Sequence, residues 1–209
     1  RHVEPKPGVY DWSKMDAAIR DAARGKYYYY FVLWTGPDSP EWIYEHGVPR
    51  VTTVGHKGGT TFPYYLDRNY INYFHRFIGK LADHLASLPE AERKAMAFIQ
   101  PAFGSTGDRQ LYKGKPKDSK YAISAQQYLE FCSGATKRFY DAFNKPELKH
   151  IKFLFNVADE SDPDSGKKTK EGSDGEQLYA NWLRKTYPIE LRKQQFTISI
   201  GYQANGEIT

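Results

Sequence analysis

The chain has 209 residues, of which 40 % are hydrophobic and 26 % are charged, so it can bury a substantial core and is not of disordered composition. Its single cysteine excludes an intrachain disulfide framework, and no apolar run approaches the ~18 residues of a membrane span. The formal net charge of +5 is compatible with an anionic partner.

The first predicted elements are a helix and the strand that follows it. Ser13 and Asp16 have the spacing of a capping box, and Gly25 is a typical stop signal, so we predict a helix between Ser13 and Gly25. The run Tyr27–Trp34 (YYYYFVLW) is continuously aromatic and β-branched. Such a run is typical of a strand buried on both faces, as in a parallel sheet.

Three more helix–strand pairs follow, and in each helix the apolar residues recur at spacings of three and four. The predicted helices are Asp67–Leu88, Ser124–Phe143 and Asp174–Tyr187, and the predicted strands are Met96–Phe103, Ile151–Val157 and Phe196–Gly201. Helices alternating with strands predict crossover units and a parallel sheet, that is, an α/β fold.

The connections between these elements differ in length. Links from helix to strand are short, whereas links from strand to helix cover 35–66, 104–123 and 158–173. Long loops cost chain entropy, so we expect the end of the sheet where the strands finish to carry the function. Four strands are too few for an eight-stranded barrel, which needs ~250 residues. The sheet is therefore either open and doubly wound, or part of a barrel, and the abrupt start at Arg1 favours the barrel.

Residues 4–16 read EPKPGVYDWSKMD, and residues 34–42 run from Trp34 through Ser39-Pro40-Glu41 to Trp42. The first segment resembles the E-P-x-x-G-x-Y-D-W-x-x-L-D sequence after the second barrel strand of clan A glycoside hydrolases of the β-galactosidase-like type. The second resembles their third strand and the P-x-W segment that shapes the substrate floor. The resemblance implies a (β/α) barrel of TIM type, here one domain over residues 1–209 that supplies about strands three to six and is incomplete at both ends. It also implies a secreted or periplasmic enzyme.

Within the first segment, simple local physics gives more detailed expectations. Gly8 permits a turn, Tyr10 and Trp12 are expected to pack the loop against the barrel, and Asp16 lies in the first helical turn, where the helix dipole favours a negative charge.

The resemblance also implies that the catalytic residues are carboxylates that follow strands. In the family the general acid/base is a Glu at the end of strand four, whereas here the nearest carboxylate is Asp108, in a G-x-x-G-D context. Glu160 and Glu207 follow the next two predicted strands. Glycoside hydrolysis needs two such carboxyl groups, so the sequence predicts cleavage of a polysaccharide or oligosaccharide, with retention implied by the clan. Because Asp108 stands where Glu is expected, a catalytically silent carbohydrate-binding barrel is the first alternative.

Six further residues are candidates for binding the substrate. Trp34 and Trp42 can stack on a sugar ring, Gln100 can bond a hydroxyl group, and His56 lies in a glycine-rich segment that can close over a ligand. Tyr202 matches a position where related enzymes place a residue that bonds the nucleophile. Asn205 belongs to the turn that contains Glu207.

Other classes of function lack their sequence signals. The six histidines have no zinc-site spacing, and there is no phosphate-binding loop, so neither a metal nor a cofactor is expected. No nucleic-acid-binding motif is present, and we interpret the lysine run from Lys113 to Lys120 as a solvated loop. The expected partner is a glycan, and the positive net charge favours an acidic one; neither a nucleic acid nor a membrane is expected. The second alternative is an open-sheet α/β protein that binds another small ligand at a topological switch point.

Overall fold

The computed structural model describes residues 3–37, 39–55, 61–104, 111–155 and 174–187. For Trp34, Asp174 and Arg184 it describes the backbone but not the side chain. The described residues form α-helices and short β-strands. The helices are α1 (Ser13–Gly25), α2 (Glu41–Glu45), α3 (Arg68–Ser87), α4 (Glu90–Ala95), α5 (Ala125–Phe143) and α6 (Asp174–Thr186). The strands are β1 (Tyr29–Trp34), β2 (Arg50–Val54), β3 (Thr61–Pro63), β4 (Met96–Ala102), β5 (Lys115–Pro116) and β6 (Lys152–Phe153).

The main sheet is parallel and has the strand order β1-β4-β6. Tyr30 is opposite Phe98 and Trp34 is opposite Ala102 along the β1–β4 ladder, and Ile99 is opposite Phe153 between β4 and β6. The predicted α/β fold with a parallel sheet is therefore confirmed. The predicted strand Phe196–Gly201 lies outside the described residues.

The long helices begin where side chains satisfy the free backbone N–H groups of the first turn. The Asp67 carboxylate accepts hydrogen bonds from the N–H groups of Asn69 and Tyr70 at the start of α3. Ser124 and Gln127 form a capping box at the start of α5. These caps explain why the predicted starts of both helices are correct.

The first helix has the predicted bounds, but its capping residues differ from those expected. Ser13 is not a cap but the first helical residue, and Trp12 precedes it without a side-chain cap. At the other end Gly25 is still helical, and Lys26 adopts the left-handed conformation with φ 57°. The helix itself is where the apolar spacing predicts it.

Helices α3 and α5 cover the same face of the parallel sheet. Phe74 of α3 contacts the ring of Phe103, just beyond β4, with 6.3 Å between centroids. Phe139 of α5 contacts Phe153 of β6 with 5.6 Å between centroids. The single cysteine, Cys132, is fully buried in this layer, and burial raises the pKa of its thiol. No helix among the described residues is long and apolar enough to cross a membrane.

A second, antiparallel sheet with the order β3-β2-β5 lies in the two long connections that follow β1 and β4. It was not predicted, and it corrects the interpretation of the lysine run as loop alone, because Lys115 pairs with Val54 of β2. The inner side of this sheet joins the aromatic core through Tyr112, whose ring contacts Phe62 at 5.7 Å and Tyr65 at 5.3 Å. The small sheet is thereby held on the side where the parallel strands end.

Candidate functional site

The carboxyl ends of β1 and β4 approach each other closely. The Thr35 hydroxyl is 3.4 Å from the carbonyl oxygen of Ala102 and donates to it. The next residue, Gly36, is buried, and a Cβ atom there would lie 2.6 Å from the Gly104 carbonyl oxygen and 2.7 Å from the Tyr65 hydroxyl. Glycine at this position therefore allows the two chain segments that leave the sheet to meet, and we call this end of the sheet the rim.

Replacing Gly36 by alanine is expected to lower the free energy of unfolding by about 1–3 kcal/mol, because the new methyl group would overlap a backbone oxygen that cannot move aside easily. Urea unfolding followed by circular dichroism measures this change. Gly134→Ala is the matched control. It lies inside α5 with nothing within 4 Å of the added Cβ, so it should stabilise the protein by about 0.5–1 kcal/mol. Equal effects of the two substitutions would contradict the close approach at the rim.

The face of the parallel sheet opposite the helices carries the predicted binding residue Gln100. Its side chain is 2 % exposed, and it is opposite Val32 in the β1–β4 ladder. One step toward the amino ends, the rings of Tyr30 and Phe98 stack with 4.5 Å between centroids. Trp34 ends β1 at the rim. The structure therefore brings Gln100 and the backbone of Trp34 to neighbouring strands.

The segment before α1 folds as its local physics predicts. Gly8 has φ +74°, and its N–H donates to the Glu4 carboxylate over 2.7 Å. The Trp12 ring lies between those of Tyr10, at 5.3 Å, and His84, at 4.8 Å. Asp16, in the first turn of α1, contacts the His84 imidazole Nε2 at 2.6 Å. Tyr10 and Trp12 therefore pack this segment against α3, and the predicted position of Asp16 in the first turn is confirmed. Packing against a barrel stays a prediction.

Trp42 is buried rather than open to the solvent. Its side chain is 6 % exposed, and its indole N–H donates to the Glu4 carbonyl oxygen over 2.8 Å. The guanidinium of Arg76 lies over the indole, 5.7 Å from the ring centroid, and also pairs with the Glu4 carboxylate. Trp42 thus fastens the first segment to α3. Its role in stacking on a sugar stays a prediction.

A cavity of about 680 Å³ lies beside β1. Its walls come from the first segment, β1, the residues after β1, and α3, and they include Trp12, Phe31, Trp42 and Phe77. Phe31 is opposite Ile99 in the ladder, so it belongs to the helix-covered face, whereas Gln100 belongs to the other face. The cavity is thus lined by one predicted binding residue, Trp42, but not by Gln100. It runs along the edge of β1 that has no partner strand among the described residues.

The remaining predicted site residues lie outside the described residues. They are Asp108, Glu160 and Glu207 among the carboxylates, and His56, Tyr202 and Asn205 among the binding candidates. Conversely, three structural roles were not predicted: that of Gly36 at the rim, and those of Glu4 and Arg76, whose pair joins the first segment to α3. The position of Gly36 shortly after a predicted strand could have indicated its role. Arg76, by contrast, is one of several cationic residues on α3, and no local sequence feature distinguishes it from the others.

In the part of the chain that the structure describes, no three His, Cys, Asp or Glu side chains come together in a way that could hold a metal ion. The sequence matches no protein-family model and no curated protein.

Proposed function

We propose that this chain is a glycoside hydrolase built on a (β/α) barrel of TIM type, and that it cleaves a polysaccharide or oligosaccharide at the rim. The observation that carries the proposal is the strand order. Neighbours in the sheet follow their order in the chain, β1-β4-β6, and α3 and α5 pack on the same face. In a doubly wound sheet the order reverses at a switch point and helices cover both faces, whereas a barrel keeps strands in sequence with all helices outside.

Two further features support a barrel over an open sheet. The face opposite α3 and α5 carries Tyr30, Val32, Phe98 and Gln100, bulky residues of the kind that fill the interior of a barrel in layers. The outer edge of β1 is unpaired within the described part of the chain, and barrel closure is one of the ways in which proteins cover such an edge.

The proposed chemistry rests on the carboxylate residues that follow the parallel strands in the sequence. Asp108 follows β4 and Glu160 follows β6, which are neighbours in the sheet, so both carboxylates come after strands that end at the rim. Two carboxyl groups on either side of a glycosidic bond can supply a general acid and a nucleophile, with retention of configuration. We assign the general acid/base role to Asp108, with Glu160 and Glu207 as candidates for the second carboxylate. Secretion or a periplasmic location belongs to the same proposal.

Asp108→Asn tests the assignment, because the amide cannot exchange the proton that the leaving group needs. Hydrolysis of a panel of polysaccharides, followed by the release of reducing ends, is expected to fall at least ~100-fold. Asp118→Asn is the matched control: this carboxylate pairs with Lys120 at the surface, and its loss should leave turnover unchanged.

The two variants also separate the alternatives. Equal activity of the Asp108→Asn variant and the unmodified protein would remove Asp108 from the mechanism. Binding of glycans without hydrolysis by the unmodified protein would replace the proposal with a catalytically silent carbohydrate-binding barrel.

A further inference from the structure

The small antiparallel sheet presents one side to the solvent. Along β2, Val51 and Thr53 are buried, whereas Arg50, Thr52 and Val54 are exposed. Residues directly opposite each other in an antiparallel ladder point to the same side. Arg50, Thr52, Val54, Thr61, Lys115 and Lys117 therefore form one surface, which we call the outer face.

This assignment places two lysines side by side on β5 and just beyond it. Lys115 is opposite Val54, and the Lys117 N–H donates to the Thr52 carbonyl oxygen over 2.8 Å. Both lysine side chains are exposed. Pro116 lies between them and is opposite Thr53, which is buried. The alternation Lys-Pro-Lys thus directs both ammonium groups outward.

Among the described residues, none forms an ion pair that neutralises these two lysines. Arg50 pairs with Glu41, and Lys120 pairs with Asp118 at 3.0 Å. By contrast, no ion pair between described residues involves Lys115 or Lys117. The outer face therefore carries a net positive charge, with the hydroxyl groups of Thr52 and Thr61 beside it.

The outer face also lies near the rim. Its strands belong to the connections that follow β1 and β4, and ring contacts link its inner side to the end of β4. The ring of Tyr65 contacts that of Phe131, with 5.7 Å between centroids, and the ring of Phe131 contacts that of Phe103, with 6.4 Å. The small sheet is thus joined through the core to the end of the parallel sheet where cleavage is proposed.

We propose that the outer face binds an anionic polysaccharide, one that carries sulfate or carboxylate groups, and holds it next to the rim. The inference rests on the proposed function for the identity of the polymer as a glycan. Ammonium groups attract the anionic substituents, and threonine hydroxyls bond sugar hydroxyls. None of the six residues of the outer face is aromatic, so this surface offers no platform for stacking the bases of a single-stranded nucleic acid.

The test compares binding of the full chain to dextran sulfate, polygalacturonate, neutral dextran and a single-stranded oligothymidylate by isothermal titration calorimetry. We expect binding to dextran sulfate or polygalacturonate, weakening as salt is added. The double variant Lys115→Gln/Lys117→Gln should bind that polyanion about 3- to 30-fold more weakly. A difference between the sulfated and the carboxylated polymer identifies the preferred anion. Thermal unfolding of each variant verifies that the fold is intact.

The matched control is Lys149→Gln/Lys152→Gln, which removes the same charge from exposed residues at the amino end of β6. This variant should bind as the unmodified protein does. Equal weakening in both double variants, equal binding of neutral dextran, or equally tight binding of oligothymidylate would each overturn the inference.

Binding and turnover are measured separately, so the two proposals can fail independently. Hydrolysis that depends on Asp108 without binding of either polyanion would refute only the role of the outer face. Polyanion binding that depends on Lys115 and Lys117, without hydrolysis of any glycan, would refute only the catalytic proposal.

Discussion

Between pH 10 and pH 12 the protein is expected to unfold, because its core contains tyrosines that cannot ionise while they are buried. Tyr70, Tyr128 and Tyr179 are each at least nine-tenths buried, and desolvation raises the pKa of all three hydroxyls above the usual value of 10.0. Burial likewise raises the pKa of Tyr44 to about 12. The folded state therefore retains protons that the unfolded chain releases.

The sign of the effect follows from this difference in bound protons. Below pH 10 both states are protonated, and the tyrosines do not make stability depend on pH. Above pH 10 the unfolded chain loses protons and is favoured by about 1.4 kcal/mol per pH unit for each buried hydroxyl, up to the pKa of the folded state. Three buried tyrosines then cost about 4 kcal/mol per pH unit, against a typical total stability of about 5–15 kcal/mol.

Urea unfolding at a series of pH values measures this dependence, and tyrosinate absorbance reports the ionisation itself. Tyr70→Phe removes one buried hydroxyl and should make the fall in stability above pH 10 less steep. Tyr28→Phe is the control, because Tyr28 is 79 % exposed and should leave the slope unchanged. Constant stability up to pH 12 would contradict the burial of these hydroxyl groups.

Glu4→Ala is expected to lower the free energy of unfolding by about 2–3 kcal/mol. The carboxylate is 6 % exposed, and it accepts from the Gly8 N–H and from the Arg76 guanidinium. Without it, the Gly8 N–H and a cation packed against Trp42 lose their acceptor. Breaking a fully buried pair costs about 3–5 kcal/mol, and the partial exposure of Arg76 reduces this because water can solvate the freed guanidinium.

Chemical unfolding measures the loss, with two reference variants. Glu4→Gln keeps an oxygen acceptor for Gly8 and should be less destabilising than Glu4→Ala. Glu90→Ala removes another Glu–cation pair, with Lys94 at 2.6 Å, which lies on the surface of α4, so no measurable change in stability is expected. A loss for Glu4→Ala no larger than that for Glu90→Ala would show that the buried pair does not hold the first segment in place.

Elements that depend on local signals were predictable from the sequence. α3 and α5 have long amphipathic patterns and side-chain caps at Asp67 and Ser124, and all of these signals lie within a few residues of one another. β1 is a continuous apolar run and β4 is apolar apart from Gln100, and both are long enough to be recognised without knowledge of their partners. The same reasoning was wrong at the start of α1, where the spacing of Ser13 and Asp16 imitates a capping box.

Elements that depend on distant partners were not predictable. β5 is two residues long, and it becomes a strand only because β2, more than fifty residues earlier in the chain, offers its edge. The pair of Glu4 and Arg76 likewise joins the first segment to α3. At the candidate site, the sequence placed Gln100 and Trp34 on neighbouring parallel strands correctly. A place for Trp42 in the core was the alternative to sugar stacking, and Trp42 is indeed buried, but its contact with Glu4 was not predictable from local signals.

Because Cys132 is the only thiol in the chain and is enclosed between α5 and its neighbours, the native protein should resist alkylating reagents. Only a molecule whose core has opened would react, and the reaction would leave Cys132 irreversibly alkylated. The rate at which Cys132 is alkylated therefore reports how often the core opens, without any engineered label.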